Sequence, residues 1–416
     1  MRRDHRFDPL AANRLYLPIA VLWLAVAWSI GACSTRHSPP TPAPTPAPTP
    51  APTANPGAFT VIAHRGASGY RPEHTLAAYE LAIAQGAHFI EVDLVPVADG
   101  TLIVRHENAL AMHTAAGLRA TTDVAERKRF KNRLGTKRID GRDVRGWFSE
   151  DFTLAEVRAL YAREPLPELR TESADHTGLR VPTLEDVIAL LQRPEYAHVG
   201  LYAELKHPTY FLHTGRRLGG DERPIGVDTA ARLVDTLART GFTDPRRLYL
   251  QCFEIATLRR LRHELLPAAG FDAPLVQLVG PPSRAPFDVI HARELDAAAF
   301  AAAYGPLAAA LKREPSYALF ADSASLRIAR ADYAAGLGPH KRSLRAVAEA
   351  AAGLGLVLHP YTVRTESAFL TPSRGAVATT ARAELDTLRR WGATGVFIDQ
   401  PDVAIEWLRD ATEASQ

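Results

Sequence analysis

Cysteine is nearly absent, with two residues in 416. That excludes a disulfide-stapled scaffold and a cysteine-built zinc module. Charge of one sign is missing as well. Lys plus Arg number 49 and Asp plus Glu 46, a net charge of +3, which gives no field for holding nucleic acid. Only one long apolar run occurs, so a polytopic membrane protein is excluded. There is no Walker-type glycine loop, dinucleotide fingerprint, nucleophile elbow or internal repeat. Apolar residues are plentiful: 46% of the chain is hydrophobic, enough for a sizeable core and too much for wholesale disorder.

The one apolar run is N-terminal. Arg2, Arg3, Arg6 and Arg14 form a positive leader, and no charge follows from Leu15 to Ala32. Ile30-Gly31-Ala32-Cys33 then sets small residues directly before a cysteine, which looks like a bacterial lipobox. The expectation is a signal peptide over 1–32, a lipidated Cys33, and a stiff tether to residue 56. Within that tether, 39–56 alternates Pro with Thr and Ala. A plain signal peptide and an uncleaved anchor are the alternatives. The expected address is the bacterial cell envelope, lipid-anchored and facing the periplasm. The second cysteine, Cys252, sits in an apolar run and reads as a buried core thiol.

From 57 to 416 short apolar runs alternate with Ala- and Leu-rich helical stretches. Strands are predicted at 60–64, 89–94, 102–106, 199–205, 248–252, 274–278, 354–359 and 395–398. Eight strands alternating with helices predict an α/β fold, a (β/α)8 TIM barrel. Ala98-Asp99-Gly100 reads as a hairpin turn between the second and third strands, an irregularity for such a barrel. Two stretches exceed ordinary loop lengths, near 107–181 and 280–338. The first holds a basic patch from Arg127 to Arg138, read as a solvated charged face, with steering of an anionic substrate or lipid as the alternative.

The chemistry gathers at the strand ends, where a barrel places its site. These ends carry His64-Arg65, Glu91-Val92-Asp93, His106 and Glu204-Leu205-Lys206. A strand has period two, so Glu91 and Asp93 face one side, and adjacent carboxylates repel unless a cation lies between them. With Glu204 they form an all-oxygen donor set, which suits calcium or magnesium rather than thiolate-bound zinc. His64 and His106 can act as base and acid near neutral pH. Arg65 and Lys206 suit a phosphate. Phosphodiester cleavage draws on this set.

The block Ala63-His64-Arg65-Gly66-Ala67-Ser68-Gly69-Tyr70-Arg71-Pro72-Glu73-His74-Thr75 resembles the signature of the glycerophosphodiester phosphodiesterase family. So do Gly86 to Leu94, Asp99 to His106, Tyr249 to Phe253, His359 to Arg364 and Gly395 to Asp402, most closely in the periplasmic branch. The resemblance implies a (β/α)8 barrel, one divalent cation with Ca2+ ahead of Mg2+, and hydrolysis of a glycerophosphodiester to glycerol 3-phosphate and an alcohol. It implies Glu91, Asp93 and Glu204 as metal ligands, and His64 and His106 as the catalytic pair. Arg65 and Lys206 match phosphate-contacting positions, and Glu73 a site carboxylate that orients neighbours. Gln251, Tyr361 and Arg364 are candidate pocket residues. The implied course begins with attack by the substrate's own glycerol hydroxyl.

Two departures stand out. The family's Asp after the second histidine is Glu107 here, and 112–119 looks inserted, with His113 read as surface. The competing readings are phospholipase-D-like action on intact lipids and a surface binding lipoprotein with a vestigial site. No nucleic-acid or protein partner is expected.

Overall fold

The computed structural model describes residues 59–370 and 380–413, with two short strands, Pro372–Ser373 and Ala376–Val377, between them. The leader, Cys33 and the Pro-rich stretch lie outside the described residues. Eight parallel strands form a barrel: β1 Thr60–Ala63, β2 Phe89–Pro96, β3 Gly200–Leu205, β4 Leu248–Cys252, β5 Leu275–Val279, β6 Gly336–Pro339, β7 Val357–Leu358 and β8 Gly395–Ile398. Each pairs with the next in order from β1 to β7, and β8 pairs with β1. The ring closes between β7 and β8 through backbone bonds Thr394 N to Leu358 O, Phe397 N to Pro360 O and Val363 N to Phe397 O.

Strand alternation sorts the residues. On β2, Ile90, Val92 and Leu94 point outward into the layer shared with the helices, as do Leu201, Ala203 and Leu205 on β3. The inward positions form an aromatic floor of Ile62, Phe89, Tyr202, Val276 and Phe397, against which Tyr249 packs. Tyr202 and Tyr249 stack at 4.8 Å, and Phe397 meets Tyr202 edge-on at 5.0 Å. Two residues further along, at His64, Glu91, Glu204, Gln251 and Asp399, the same inward face turns polar, while the β5 position stays apolar as Leu278. In-register pairing sets Asp93 beside Glu204, and Glu204 beside Gln251. The site is therefore a charged layer resting on an apolar floor.

Two strand expectations need correction. Leu102–Val104 is a strand, but it pairs antiparallel with β2 and is not a barrel member. His106 thus reaches the site from the end of a hairpin. The missing barrel strand is β6, Gly-Leu-Gly-Pro, whose composition argues against a strand. Glycine is required there by crowding. A Cβ on Gly336 would lie 2.3 Å from Val357 Cγ2, and one on Gly338 would lie 2.6 Å from Leu278 Cδ2.

The stretch after His106 builds a separate antiparallel sheet from Ala109–Thr114, Gly117–Ala120, Gly135–Ile139 and Arg142–Phe148, over its own apolar cluster. The basic patch lies here, with Lys128, Arg129, Lys131 and Arg138 exposed as a solvated face. Arg133 bonds Glu156, and Arg127 bonds Asp123. Lys137 departs from the solvated-face reading, because it is buried against Glu150 and Asp151. His113 is exposed and Cys252 is buried. Among the described residues no helix is long and apolar enough to cross a membrane.

Candidate active site

The eight-strand ring opens at its carboxyl end into a pocket of about 330 Å³. His64, Arg65, Glu91, His106, Glu204 and Lys206 all line it, as do Gln251, Tyr361 and Arg364. Asp93 lies just behind this wall and Glu73 behind Arg65.

The carboxylate layer is under electrostatic load. Burial, then the neighbouring charges of Asp93 and Glu204, push the Glu91 carboxyl well above the usual range. Burial and Asp93 also raise Glu204, although Lys206 Nζ lies 2.8 Å from Glu204 Oε1. Asp93 goes the other way. Burial works to raise it, but Lys206 and the His74 hydrogen bond hold it well below. Asp93 Oδ1 and Gln251 Oε1 are buried without a hydrogen-bond partner. Orphaned oxygens beside crowded carboxylates fit a hard cation, which would satisfy the former and relieve the latter.

Ligating atoms of His74, Glu91 and Asp93 lie within 4.8 Å of one another, and His74 has no role in the sequence reading. Its hydrogen bonds define that role. Nε2 is 2.8 Å from Asp93 Oδ2, and Nδ1 is 2.9 Å from the Tyr79 hydroxyl. An ionised carboxylate only accepts, so Nε2 carries the proton and Tyr79 donates to Nδ1. Both nitrogens are committed, and His74 orients Asp93. The available oxygens remain those of Glu91, Asp93 and Glu204.

The cations are equally fixed. Arg65 donates through a terminal nitrogen to Glu73 Oε2 at 2.6 Å, and its backbone N–H donates to Glu91 Oε2 at 2.8 Å. Glu73 therefore orients Arg65 without reaching the pocket.

The two histidines have different supports. His64 Nδ1 lies 2.6 Å from Asp399 Oδ1, just past the end of β8. Burial opposes ionisation of Asp399, but Arg364, His64 and Arg170 hold its pKa well below the usual value. Nδ1 therefore carries the proton, and Nε2 keeps its lone pair. Burial and the Arg65 charge lower the His64 pKa to about 4, so the ring is neutral. His106 Nδ1 lies 3.0 Å from Glu107 Oε1, close but not linear. Burial, Arg65 and Lys206 bring its pKa to about 4 as well.

Asp399 and His74 lie in the family-like blocks but have no assigned role in the sequence reading, and Arg170 and His207 do not figure in it. Among the described non-glycine residues, positive φ occurs at Arg65 (60°), His74 (58°), Asp140 (46°) and His207 (51°). All four touch this layer or the supports of its histidines. Such conformations cost about 1 kcal/mol or more each, and they persist where surroundings over-determine them.

Residues 64–403 match the glycerophosphoryl diester phosphodiesterase family. The chain is 31% identical to a glycerophosphodiester phosphodiesterase of Haemophilus influenzae, covering 84% of this chain and 89% of that protein. It is 28% identical to a Bacillus subtilis protein of the same name, covering 84% and 86%. In fold it is similar to a Silicibacter pomeroyi protein assigned to that family, with a TM-score of 0.54 and 20% identity, over 86% of this chain and 95% of that one.

Proposed function

The chain belongs to the glycerophosphoryl diester phosphodiesterase family, and we propose that it hydrolyses glycerophosphodiesters to glycerol 3-phosphate and a free alcohol. The observation that carries this reading is the pairing of two neutral, carboxylate-supported histidines across one basic pocket. The Arg65 guanidinium and Lys206 ammonium sit where they can pair with a phosphodiester anion. One histidine takes the proton of the attacking hydroxyl, either the substrate's own glycerol hydroxyl or water. The other returns a proton to the leaving alkoxide. Arg65 and Lys206 are the charges that depress His106. An anion that neutralises them raises the proton affinity of His106, which suits it to the acid's role.

Glu91, Asp93 and Glu204 would hold a divalent cation, which when bound supplies polarisation of a phosphoryl oxygen. The oxygen-only set, with Gln251 Oε1 adjacent, favours calcium's higher coordination number over magnesium. The pocket volume, at the low end of the roughly 300–1,000 Å³ of small-molecule sites, fits a glycerophosphodiester better than an intact lipid. A lipidated Cys33 would tether this body to a bacterial envelope membrane on the periplasmic side. Cys33→Ala should then move the protein from the membrane to the soluble fraction, and retention in the membrane contradicts the anchor.

The direct check is release of glycerol 3-phosphate from glycerophosphocholine and glycerophosphoglycerol by the full chain. Turnover that disappears in His64→Ala supports the reading. A folded protein that cleaves neither substrate, or one in which His64→Ala is fully active, contradicts it.

A further inference from the structure

His106 is supported by more than its chain neighbour. The second oxygen of Glu107, Oε2, lies 3.1 Å from His207 Nε2, and His207 Nδ1 lies 2.6 Å from Asp140 Oδ2. The four groups form a line: His106, Glu107, His207, Asp140. They come from three separate segments. Glu107 follows the hairpin strand Leu102–Val104, His207 follows the end of β3, and Asp140 sits at a turn of the inserted sheet.

The backbone at both added positions is specialised. Asp140 and Gly141 connect Gly135–Ile139 to Arg142–Phe148 with φ of 46° and 78°, the two positive values that a tight two-residue hairpin turn requires. His207 holds φ of 51°. Both turns aim a polar side chain at the same place, and neither side chain faces the substrate pocket.

We infer that Asp140 and His207 are positioning residues for proton transfer at His106, and that the inserted hairpin is thereby a working part of the catalytic site. The inference rests on His106 as one of the two proton-transfer groups. An imidazole between two carboxylates donates from both nitrogens when it is protonated, and so fixes both. Pinned at Oε2, Glu107 keeps Oε1 against His106 Nδ1, and His106 keeps Nε2 as its reacting nitrogen. Without the pin, the longer Glu side chain that stands where the family has Asp is free to rotate away.

The charged groups around His207 are Asp140, Glu107, the adjacent Lys206 and, acting through Asp140, Glu254. Burial works to lower its pKa, but the pull of Asp140 and Glu107 wins and lifts it to about 10. His207 is therefore imidazolium through the neutral range.

The test compares Asp140→Asn, Asp140→Glu, His207→Gln, Arg142→Ala and His106→Ala in the full chain. Asn tolerates positive φ, so Asp140→Asn preserves the turn. In Asp140→Asn and His207→Gln, kcat should fall about tenfold to a hundredfold with KM unchanged, the scale of a small misplacement of a reacting group. Asp140→Glu should recover part of the loss. Arg142→Ala, an exposed change on the same hairpin, should match wild type. In Asp140→Asn, where only Glu107 remains to hold the proton on His207, kcat should also begin to fall at a lower pH than in wild type. A structural role alone would not move that limb. Wild-type kcat in both Asp140→Asn and His207→Gln, beside an inactive His106→Ala, overturns the relay and leaves the proposed function standing. Full activity in His106→Ala overturns both.

Discussion

The two pocket histidines have contrasting supports. His64 leans on Asp399, which follows a barrel strand, is 1% exposed, and is clamped by Arg170 at 2.5 Å and Arg364 at 2.9 Å. His106 leans on Glu107, whose side chain is 32% exposed, and on Asp140, at 31%, which arrives from the inserted sheet. One carboxylate stands at the end of a barrel strand, although Arg170, which clamps it, comes from the long stretch after His106. The other is assembled at the rim from segments that meet only in the folded chain. The barrel strands thus carry the carboxylate beside one pocket histidine, while an insertion completes the support of the other.

Substitutions can break this contrast in graded steps. The largest effect belongs to the histidines themselves. His64→Ala and His106→Ala should each lower kcat by about 10²- to 10⁴-fold, with unfolding temperatures near wild type. Steady-state kinetics beside thermal melts would show it, and a mild loss at either position removes that residue from the pair.

Next comes Asp399→Asn. An amide can donate to Nδ1, which would force the His64 proton onto Nε2 and leave the nitrogen with no lone pair for the substrate. It also leaves Arg170 and Arg364 without their shared carboxylate. The expected loss is about a hundredfold or more in kcat, larger than for Asp140→Asn. Equal losses at the two supports would erase the distinction between frame and rim.

The smallest effect is one of stability. The folded pKa of His207 is raised from 6.5 to about 10. A raised pKa means that the folded state binds the proton more tightly, so the pairing stabilises fully below about pH 6.5 and fades as pH rises toward 10. The difference in urea midpoint between wild type and Asp140→Ala should shrink across that window. A difference that stays flat from pH 6 to 10 would mean that His207 is not held as a cation.

Much of the barrel frame is legible in the sequence and much of the rim is not, for physical reasons. Alternation along the apolar run Phe89–Pro96 is enough to put Glu91 and Asp93 on one face, which the barrel turns inward. The β6 strand escapes because packing against Val357 and Leu278 demands glycine, which sequence patterns read as a turn. Leu102–Val104 reads as a barrel strand because periodicity does not report strand direction, although the Ala98-Asp99-Gly100 hairpin turn read from the sequence is the one the structure shows. Asp399, His74, Asp140 and His207 act through partners from 19 to 335 positions away. His74 and Asp399 lie inside the family-like blocks but carry no role there; the local signals for Asp140 and His207 are an Asp-Gly pair between strand-like runs, and a histidine directly after Glu204-Leu205-Lys206.

The central claim is that the Glu91–Asp93–Glu204 layer holds a divalent cation on which glycerophosphodiester hydrolysis depends. The most direct measurement is glycerol 3-phosphate release by the full chain after EDTA treatment, then with Ca2+ or Mg2+ restored. Calorimetric titration of each cation into wild type and Glu91→Gln would run alongside. The account predicts loss of turnover on chelation, recovery with added cation and more fully with calcium, and binding that disappears in Glu91→Gln. Turnover untouched by chelation, or unchanged cation binding in Glu91→Gln, would contradict it.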